Sequence, residues 1–293
     1  HSLYQALQKY KEKQNSLSYQ ALFGQINQLL NKIGGELDSV RMIQLRSVSK
    51  ELCNKTDFHI AVPGTYKPDK PVILIKYFVG RFSVYATKQQ PKIICIIGDD
   101  GKFYQYLLKG HEDLRLDERL MQFFTLVNII MKNNRRTREI RSLISCYTVI
   151  PISRRVGIIG WVQNADTMHH LIKEYRYQKH IEQHIESTTI EKKYGVSFLS
   201  LNFLQRLEVF NDIIQEPFAK CEEINEVMWM KSKNASSCLR AKRIFTETTA
   251  LMSMVGYVIG LGDRHPNNIM IQRDFGNVIH IDFGESFDST LNR

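Results

Sequence analysis

The feature that most limits the fold is a change in hydrophobic texture along the chain. Between Asp57 and Val162 apolar residues come in short runs broken by turn residues, while on either side they recur at helical spacing. The sharpest local signal is Gly98-Asp99-Asp100-Gly101, four turn residues set between the runs Lys92 to Ile97 and Phe103 to Leu108. Gly and Asp tolerate the backbone conformations that tight turns demand, so this stretch predicts a β-hairpin. Further strands are predicted over 58–62 (ended by Pro63-Gly64), 72–76, 82–86, 147–152 and 157–162. One long helix is predicted from about Glu112 to Met131, with Leu116, Leu120, Phe123, Phe124, Val127 and Ile130 turned to a core. The middle of the chain therefore reads as a mostly antiparallel sheet with one helix.

The flanks read differently. Up to about Lys55, Leu3, Leu7 and Tyr10 share a helical face, and Leu22, Ile26, Leu29, Leu30 and Ile33 continue the pattern. A break is predicted at Gly34-Gly35, followed by a short helix through Met42, Leu45, Val48 and Leu52. After Gln163, helices are predicted over 167–184, 203–214, 224–230 and 246–259, the last apolar on most sides and expected to be deeply buried. Strands over 269–272 and 278–281 close the chain, joined by a turn at Asp274 to Asn277. The predicted class is α+β and two-lobed. A helical segment, 1–55, precedes a β-rich lobe, 56–162, and an α-rich lobe, 163–293.

Chemistry concentrates near the C-terminal end. Gly262-Asp263-Arg264-His265-Pro266-Asn267-Asn268 is followed by His280-Ile281-Asp282-Phe283-Gly284. Phosphoryl transfer asks for a carboxylate to accept a hydroxyl proton, oxygen ligands for magnesium, and donors where charge builds up. Asp263, then Asn268 with Asp282, and His265 supply these in that order. Each residue alone has an ordinary structural use, as a turn or a cap; the set in chain order does not. Lys109 ends a predicted strand and precedes a predicted helix carrying Glu112 and Asp117. A lysine so placed reaches phosphates when a helix carboxylate holds it; Glu112 is the first candidate and Asp117 the second. No Gly-rich phosphate loop is present, and Thr87-Lys88-Gln89-Gln90-Pro91 occupies the hairpin where one belongs.

Composition narrows the alternatives. The 293 residues, 43% hydrophobic and 24% charged, are ample for one large or two modest packed domains. No run approaches the roughly 18 apolar residues of a membrane span. Lys9, Lys11, Glu12 and Lys13 argue against a secretory signal, and five scattered cysteines, Cys53, Cys95, Cys146, Cys221 and Cys238, read as reduced thiols. The formal charge of +10 admits anionic partners, but the basic run holding Arg135, Arg136, Arg138 and Arg141 lacks interleaved aromatics, so no specific nucleic acid is expected. His180 and His184 are spaced like zinc ligands but suggest no third, and read as a solvated helix face. Met252, Met254 and Met270 read as core residues, Met270 doubling as a pocket wall.

From about Phe58 onward the chain resembles the catalytic domain of the phosphatidylinositol 3-kinase-related protein kinases, within them the target of rapamycin (TOR) branch. The resemblance is carried by Ala61-Val62-Pro63-Gly64-Thr65-Tyr66, by Leu107 to Arg115, by Gly160-Trp161-Val162, and by Met252 to Tyr257 running into the Asp263 loop. It implies a protein-kinase-like fold of PI3/PI4-kinase type and a serine/threonine protein kinase in growth and nutrient signalling that uses ATP with Mg2+ or Mn2+, with a phosphoinositide lipid kinase or an inactive nucleotide-binding and docking fragment as the alternatives. By position, Asp263 is the catalytic base, His265 the transition-state donor, Asn268 and Asp282 the metal ligands, and Lys109 the phosphate-binding lysine. Adenine is expected among Pro91, Leu107, Tyr147, Trp161, Val162, Met270 and Ile281, with Trp161 stacked on the base. The implied partners are protein substrates, a small β-propeller subunit docked around His180 to Phe218, and larger scaffold subunits. A cytoplasmic location is implied, with nuclear or endomembrane association through the complex. Leu116 stands where the family usually has Gln, and residues 1 to about 13 align loosely with the end of a rapamycin-binding domain, with His1 and Gln8 in place of the usual Trp and Phe. The chain stops at Arg293, just past Asp282-Phe283-Gly284, and so reads as a kinase with a truncated α-rich lobe, a fragment of a larger protein.

Overall fold

The computed structural model describes residues 16–85, 87, 89–140, 142–195, 198–216, 219 and 222–287, with residues 7 and 11. Expectations placed on His1, Leu3, Gln8, Tyr10, Lys88, Arg141, Phe218, Cys221 and Arg293 lie outside them. The chain divides into two compact units, His1–Leu114 with Thr148–Trp161, and Arg115–Tyr147 with Val162–Arg293.

The first unit is built on an antiparallel sheet. Its strands are β1 (Met42–Gln44), β2 (Ile75–Phe78), β3 (Arg81–Val84), β4 (Lys92–Gly98), β5 (Phe103–Gly110), β6 (Val149–Ser153) and β7 (Val156–Gly160). The order is β1-β3-β4-β5-β7-β6, and β2 shares an edge of β4 with β3. β3 pairs with the Lys92 end of β4 and β2 with the Gly98 end. The β4–β5 turn is the predicted one: Gly101 lies at φ +73° and its amide donates to Gly98 O at 3.0 Å. One face of the sheet closes over Leu45, Phe58, Val62, Ile75, Phe82, Ile94, Ile96 and Tyr106. Burial of Val62, which retains no exposed surface, is worth about 2 kcal/mol.

Several local expectations change. Helix α1 (Ser16–Ser39) runs straight through Gly34-Gly35. Two glycines weaken a helix by about 1 kcal/mol each, which does not end it. The short helix expected from Met42 begins instead as β1, paired to β3, and turns helical only at α2 (Leu45–Val48) and α3 (Lys50–Asn54). Residues 58–62 form no regular strand. Ala61 bridges Leu74, and Phe58 N and Val62 N donate to Ile75 O and Ile73 O, both at 2.8 Å. That segment then turns at Pro63-Gly64 under Tyr106, whose hydroxyl donates to Pro63 O at 2.8 Å.

In the second unit, α4 (Arg115–Asn133) buries Asp117, Leu120, Met121 and Phe124, a stripe at helical spacing; Ile130, expected inside, is exposed. A three-stranded antiparallel sheet joins β8 (Ala165–Thr167), β9 (Ile269–Gln272) and β10 (Val278–His280) in the order β10-β9-β8. The helix expected over 167–184 ends early, as α5 (Met168–Gln178), and the next helix, α6 (Ile185–Tyr194), begins beyond it, so His180 and His184 lie between helices and share no helix face. His180 lies at φ +55°, and the bend is held by Arg176, whose guanidinium donates to Gln183 O at 3.0 Å and pairs with Glu186 and Glu223. Next come α7 (Phe203–Ile213), α8 (Glu223–Lys231) and α9 (Ala235–Val258). α9 buries only one face, Cys238, Thr248, Met252, Val255 and Gly256, while Met254, Tyr257 and Val258 are exposed. An apolar composition thus overstated its burial. Thr248 Oγ1 accepts from Val278 N at 3.1 Å and ties α9 to β10.

Of the described glycines in the first unit, Gly64 has the least room for a side chain. Its φ is +75°, and a Cβ there would lie 1.9 Å from Thr148 Oγ1. Gly64→Ala is expected to destabilise the protein by about 2–4 kcal/mol, from left-handed strain plus overpacking, read as a lower midpoint in urea unfolding.

Candidate nucleotide and phosphoryl-transfer site

In the first unit the site residues follow from strand parity. Side chains alternate along a strand, and directly opposed residues share a face. Tyr106 and Leu108 face the core, so Leu107 and Lys109 of β5 face away from it. Across the ladder Leu107 lies opposite Ile93 on β4 and Ile159 on β7, and Lys109 lies opposite Gly157. Trp161, just past β7, continues this face, its amide bonded to Gln105 O at 2.9 Å. Its indole meets Tyr85, ring centroids 6.2 Å apart and tilted by 49°. Pro91 closes the β3–β4 connection, its carbonyl accepting from Tyr85 N at 2.9 Å. Pro91, Leu107, Lys109 and Trp161 are thus assembled around one sheet face, and Tyr85 joins them. Sequence reasoning missed Tyr85; its parity with the Phe82–Val84 strand was the available signal.

Lys109 Nζ donates to Glu112 Oε2 at 2.9 Å. Glu112 was expected at the start of the helix, but α4 begins at Arg115. Glu112 sits in the preceding turn, which reverses through His111 at φ +65°. Both side chains keep about a quarter of their surface, so the pair is stronger than an exposed one without being sealed off. Asp117, the second candidate, is buried on α4 in the other unit.

In the second unit, β9 and β10 carry the rest. Their register sets His280 opposite Ile269, so the loop before β9 and the loop after β10 emerge at the same end of the hairpin. Asp263, His265 and Asn268 lie on the first loop and Ile281 and Asp282 on the second, joined where Ile281 N donates to Asn268 O at 3.0 Å. The Arg264 guanidinium spans both, donating to Gly262 O at 2.7 Å, to Ile281 O at 3.0 Å and to Asp282 O. It also lies 5.7 Å over the ring of Phe283. Phe283, fully buried, packs edge-on against Phe124 of α4 at 5.4 Å. Burial pulls the Arg264 guanidinium below its ordinary range while the Asp282 and Asp263 charges oppose the shift. Tyr147 is pushed upward by burial first, then by Asp117 and Asp282. Val162 stands just ahead of β8, and Met270 lies on β9 opposite Ile279.

The polar geometry is specific. Asp263 (φ +52°) and Asp282 (φ +60°) both adopt the left-handed conformation, uncommon outside glycine and concentrated at functional positions. Both carboxylates are exposed. Asn268 is buried, and its Nδ2 donates to Asp263 O at 3.0 Å, with Asp263 Oδ2 at 3.5 Å. That orientation uses the amide nitrogen and leaves Oδ1 to act as a ligand. An amide oxygen and exposed carboxylates on two joined loops are the hard oxygen donors that magnesium selects, so the residue types fit the ion. His265 Nδ1 accepts from Asn267 N at 3.2 Å, which fixes the ring proton on Nε2 and makes that atom a donor, 3.9 Å from Asp263 Oδ2. His280 is held neutral: burial lowers its pKa to about 4.

Comparisons with known proteins place the chain among kinases. Over 269 residues the chain is 42% identical to serine/threonine-protein kinase TOR of Arabidopsis thaliana, covering 90% of this chain and 11% of that protein. It is 42% identical over 266 residues to serine/threonine-protein kinase tor1 of Schizosaccharomyces pombe (91% and 11%), and 38% identical over 291 residues to serine/threonine-protein kinase TOR2 of Saccharomyces cerevisiae (99% and 12%). The chain therefore spans about a tenth of the length of these relatives. A solved structure of the FAT and kinase domain of CtTel1 matches with a TM-score of 0.67 at 26% identity, covering 85% of this chain and 18% of that one. Residues 103–293 match the family described as phosphatidylinositol 3- and 4-kinase, a match that takes in Lys109, Glu112, Asp263, His265, Asn268 and Asp282. The chain belongs to the phosphatidylinositol 3- and 4-kinase family.

Proposed function

We propose that the chain carries the catalytic residues of a TOR-type serine/threonine protein kinase, which moves the γ-phosphate of ATP to protein hydroxyls in growth and nutrient signalling. One observation carries this reading: an exposed carboxylate, Asp263, is wired through Asn268 to the loop that bears Asp282, with the Asn268 oxygen left open. Asp263 orients the attacking hydroxyl and accepts its proton. The Nε2 proton of His265 stands as a donor to the transferred phosphoryl oxygens. Asn268 Oδ1 and the Asp282 carboxylate would hold magnesium, which would supply positive charge to offset that of the phosphates. Lys109, steered by Glu112, binds phosphate oxygens. Leu107, Pro91 and Trp161 of the first unit receive the adenine, and Trp161 offers the stacking face.

The reading extends to a cytoplasmic protein at work in a larger complex with scaffold subunits. Support for a β-propeller partner comes from α7, which exposes Phe203, Leu204, Leu207 and Phe210 on a helix whose only buried residues are Val209 and Ile213. A contiguous exposed apolar stripe of this kind marks an interaction surface.

In an assay offering a Ser/Thr peptide and phosphatidylinositol side by side, phosphate is expected on the peptide. Asp263→Asn is expected to lower kcat by about 100-fold or more with ATP affinity little changed. Asp282→Asn is expected to weaken magnesium-dependent ATP binding as well. Turnover undiminished in both variants, or label confined to lipid, would refute the assignment.

Arg264→Lys tests the wiring apart from the chemistry. A lysine cannot serve three carbonyls and an aromatic face at once. We expect kcat to fall about tenfold or more and thermal stability to drop by about 2 kcal/mol, although neither carboxylate has been touched.

A further inference from the structure

A cavity of about 290 Å³ in the second unit lies between the end of α8, the first turns of α9 and the β9–β10 turn. Asp263, His265, Asn268 and Asp282 do not line it. Its floor is apolar, formed by Leu171, Ile224, Val227 and Ile271, and all but Ile224 are buried core residues. Its rim is cationic, with Lys231, Lys233, Arg240 and Arg273 set against one lining carboxylate, Asp274.

The rim cations are not equivalent. Lys231 is paired to Glu174 at 3.0 Å, and Arg273 is held by Asp166 through two bonds of 2.6 Å. Among the described residues Lys233 and Arg240 have no carboxylate partner within ion-pair distance. The capping box on Asn234 already occupies the Ser237 amide, so the unpaired positive charge at the mouth comes from those two side chains. The walls are fixed before any ligand arrives. Gly276, at φ +76°, brings the β9–β10 turn so close to α9 that a Cβ there would sit 2.5 Å from Ala241 O. Thr248 pins β10 to the same helix.

A preformed apolar floor beneath two unpaired cations suits one ligand chemistry: an anion carried on an apolar body. We propose that this cavity is a second ligand site, independent of the kinase reading, that takes an organic phosphomonoester. The phosphate meets Lys233 and Arg240, and the apolar body lies on Leu171, Val227 and Ile271 beside Phe275. The same headgroup chemistry occurs in soluble metabolites and in lipids.

Calorimetric titration of the 293-residue chain tests the site with three probes: phenyl phosphate, inorganic phosphate and phenol. Phenyl phosphate is expected to bind about tenfold or more tighter than either fragment, because each fragment lacks one half of the contact. The double variant Lys233→Ala/Arg240→Ala changes two exposed side chains and should keep the wild-type melting temperature. It is expected to lose about tenfold or more of the phenyl phosphate affinity, and Lys233→Arg/Arg240→Lys to restore most of it. Cosedimentation with phosphatidylcholine vesicles containing phosphatidic acid, lost in the double variant, would identify a lipid as the source. Binding of phenyl phosphate without cosedimentation would identify a soluble one. Equal phenyl phosphate affinity in wild type and double variant, or phenol binding as tightly as phenyl phosphate, overturns the proposal.

Discussion

The guanidinium of Arg264 is the interaction on which the candidate site depends. It gathers three backbone carbonyls, Gly262, Ile281 and Asp282, from the two loops that leave one end of the β9–β10 hairpin, and it covers the Phe283 ring. Half-burying a guanidinium is costly unless its donors are met; here each branch of the fork has a carbonyl. The carboxylates of Asp263 and Asp282 lie near enough to favour its charge, yet neither is used up by it, because the bonds go to main-chain oxygen. A side-chain salt bridge in the same place would neutralise the group that a metal or a substrate needs. Phe283 extends the anchorage to Phe124, so the Asp282 loop is tied both to a strand pair and to the core face of α4.

Much of the fold was legible where local chemistry and tertiary need coincide. The β4–β5 hairpin lies within two residues of its predicted ends because Gly98 to Gly101 can hardly do anything but turn and the flanking runs suit a sheet. Elements were misread where the deciding partner is distant in sequence. Residues 42–44 are a strand because β3 pairs with them, and nothing within the segment announces it. The break between α5 and α6 is held by Arg176 reaching Glu223 on another helix, a contact no periodicity encodes. α4 begins three residues later than expected, which puts Glu112 on a turn, where it still meets Lys109.

The candidate site residues stand out in the sequence for a different reason. Carboxylate, carboxamide and imidazole at fixed spacing are themselves the chemistry, so the motif names them without any geometry. What the motif does not name is the support. Arg264 stands inside it, yet its role lies in bonds to carbonyls, which every residue possesses. The tautomer of His265 is set by the amide of Asn267, likewise a main-chain group. Tyr85 reaches Trp161 only through strand parity across β3, β4, β5 and β7. Contacts made by backbone atoms leave little trace in a one-letter string.

The left-handed torsions at Asp263 and Asp282 filter which amino acids can stand at the two candidate positions. A branched or bulky side chain pays steadily for that conformation, whereas Gly, Asn and Asp hold it at little expense. Of those three, only Asp brings a full negative charge. Backbone shape thus shortens the alphabet to a few letters before any reaction is considered, and the demand for an anion then picks one of them.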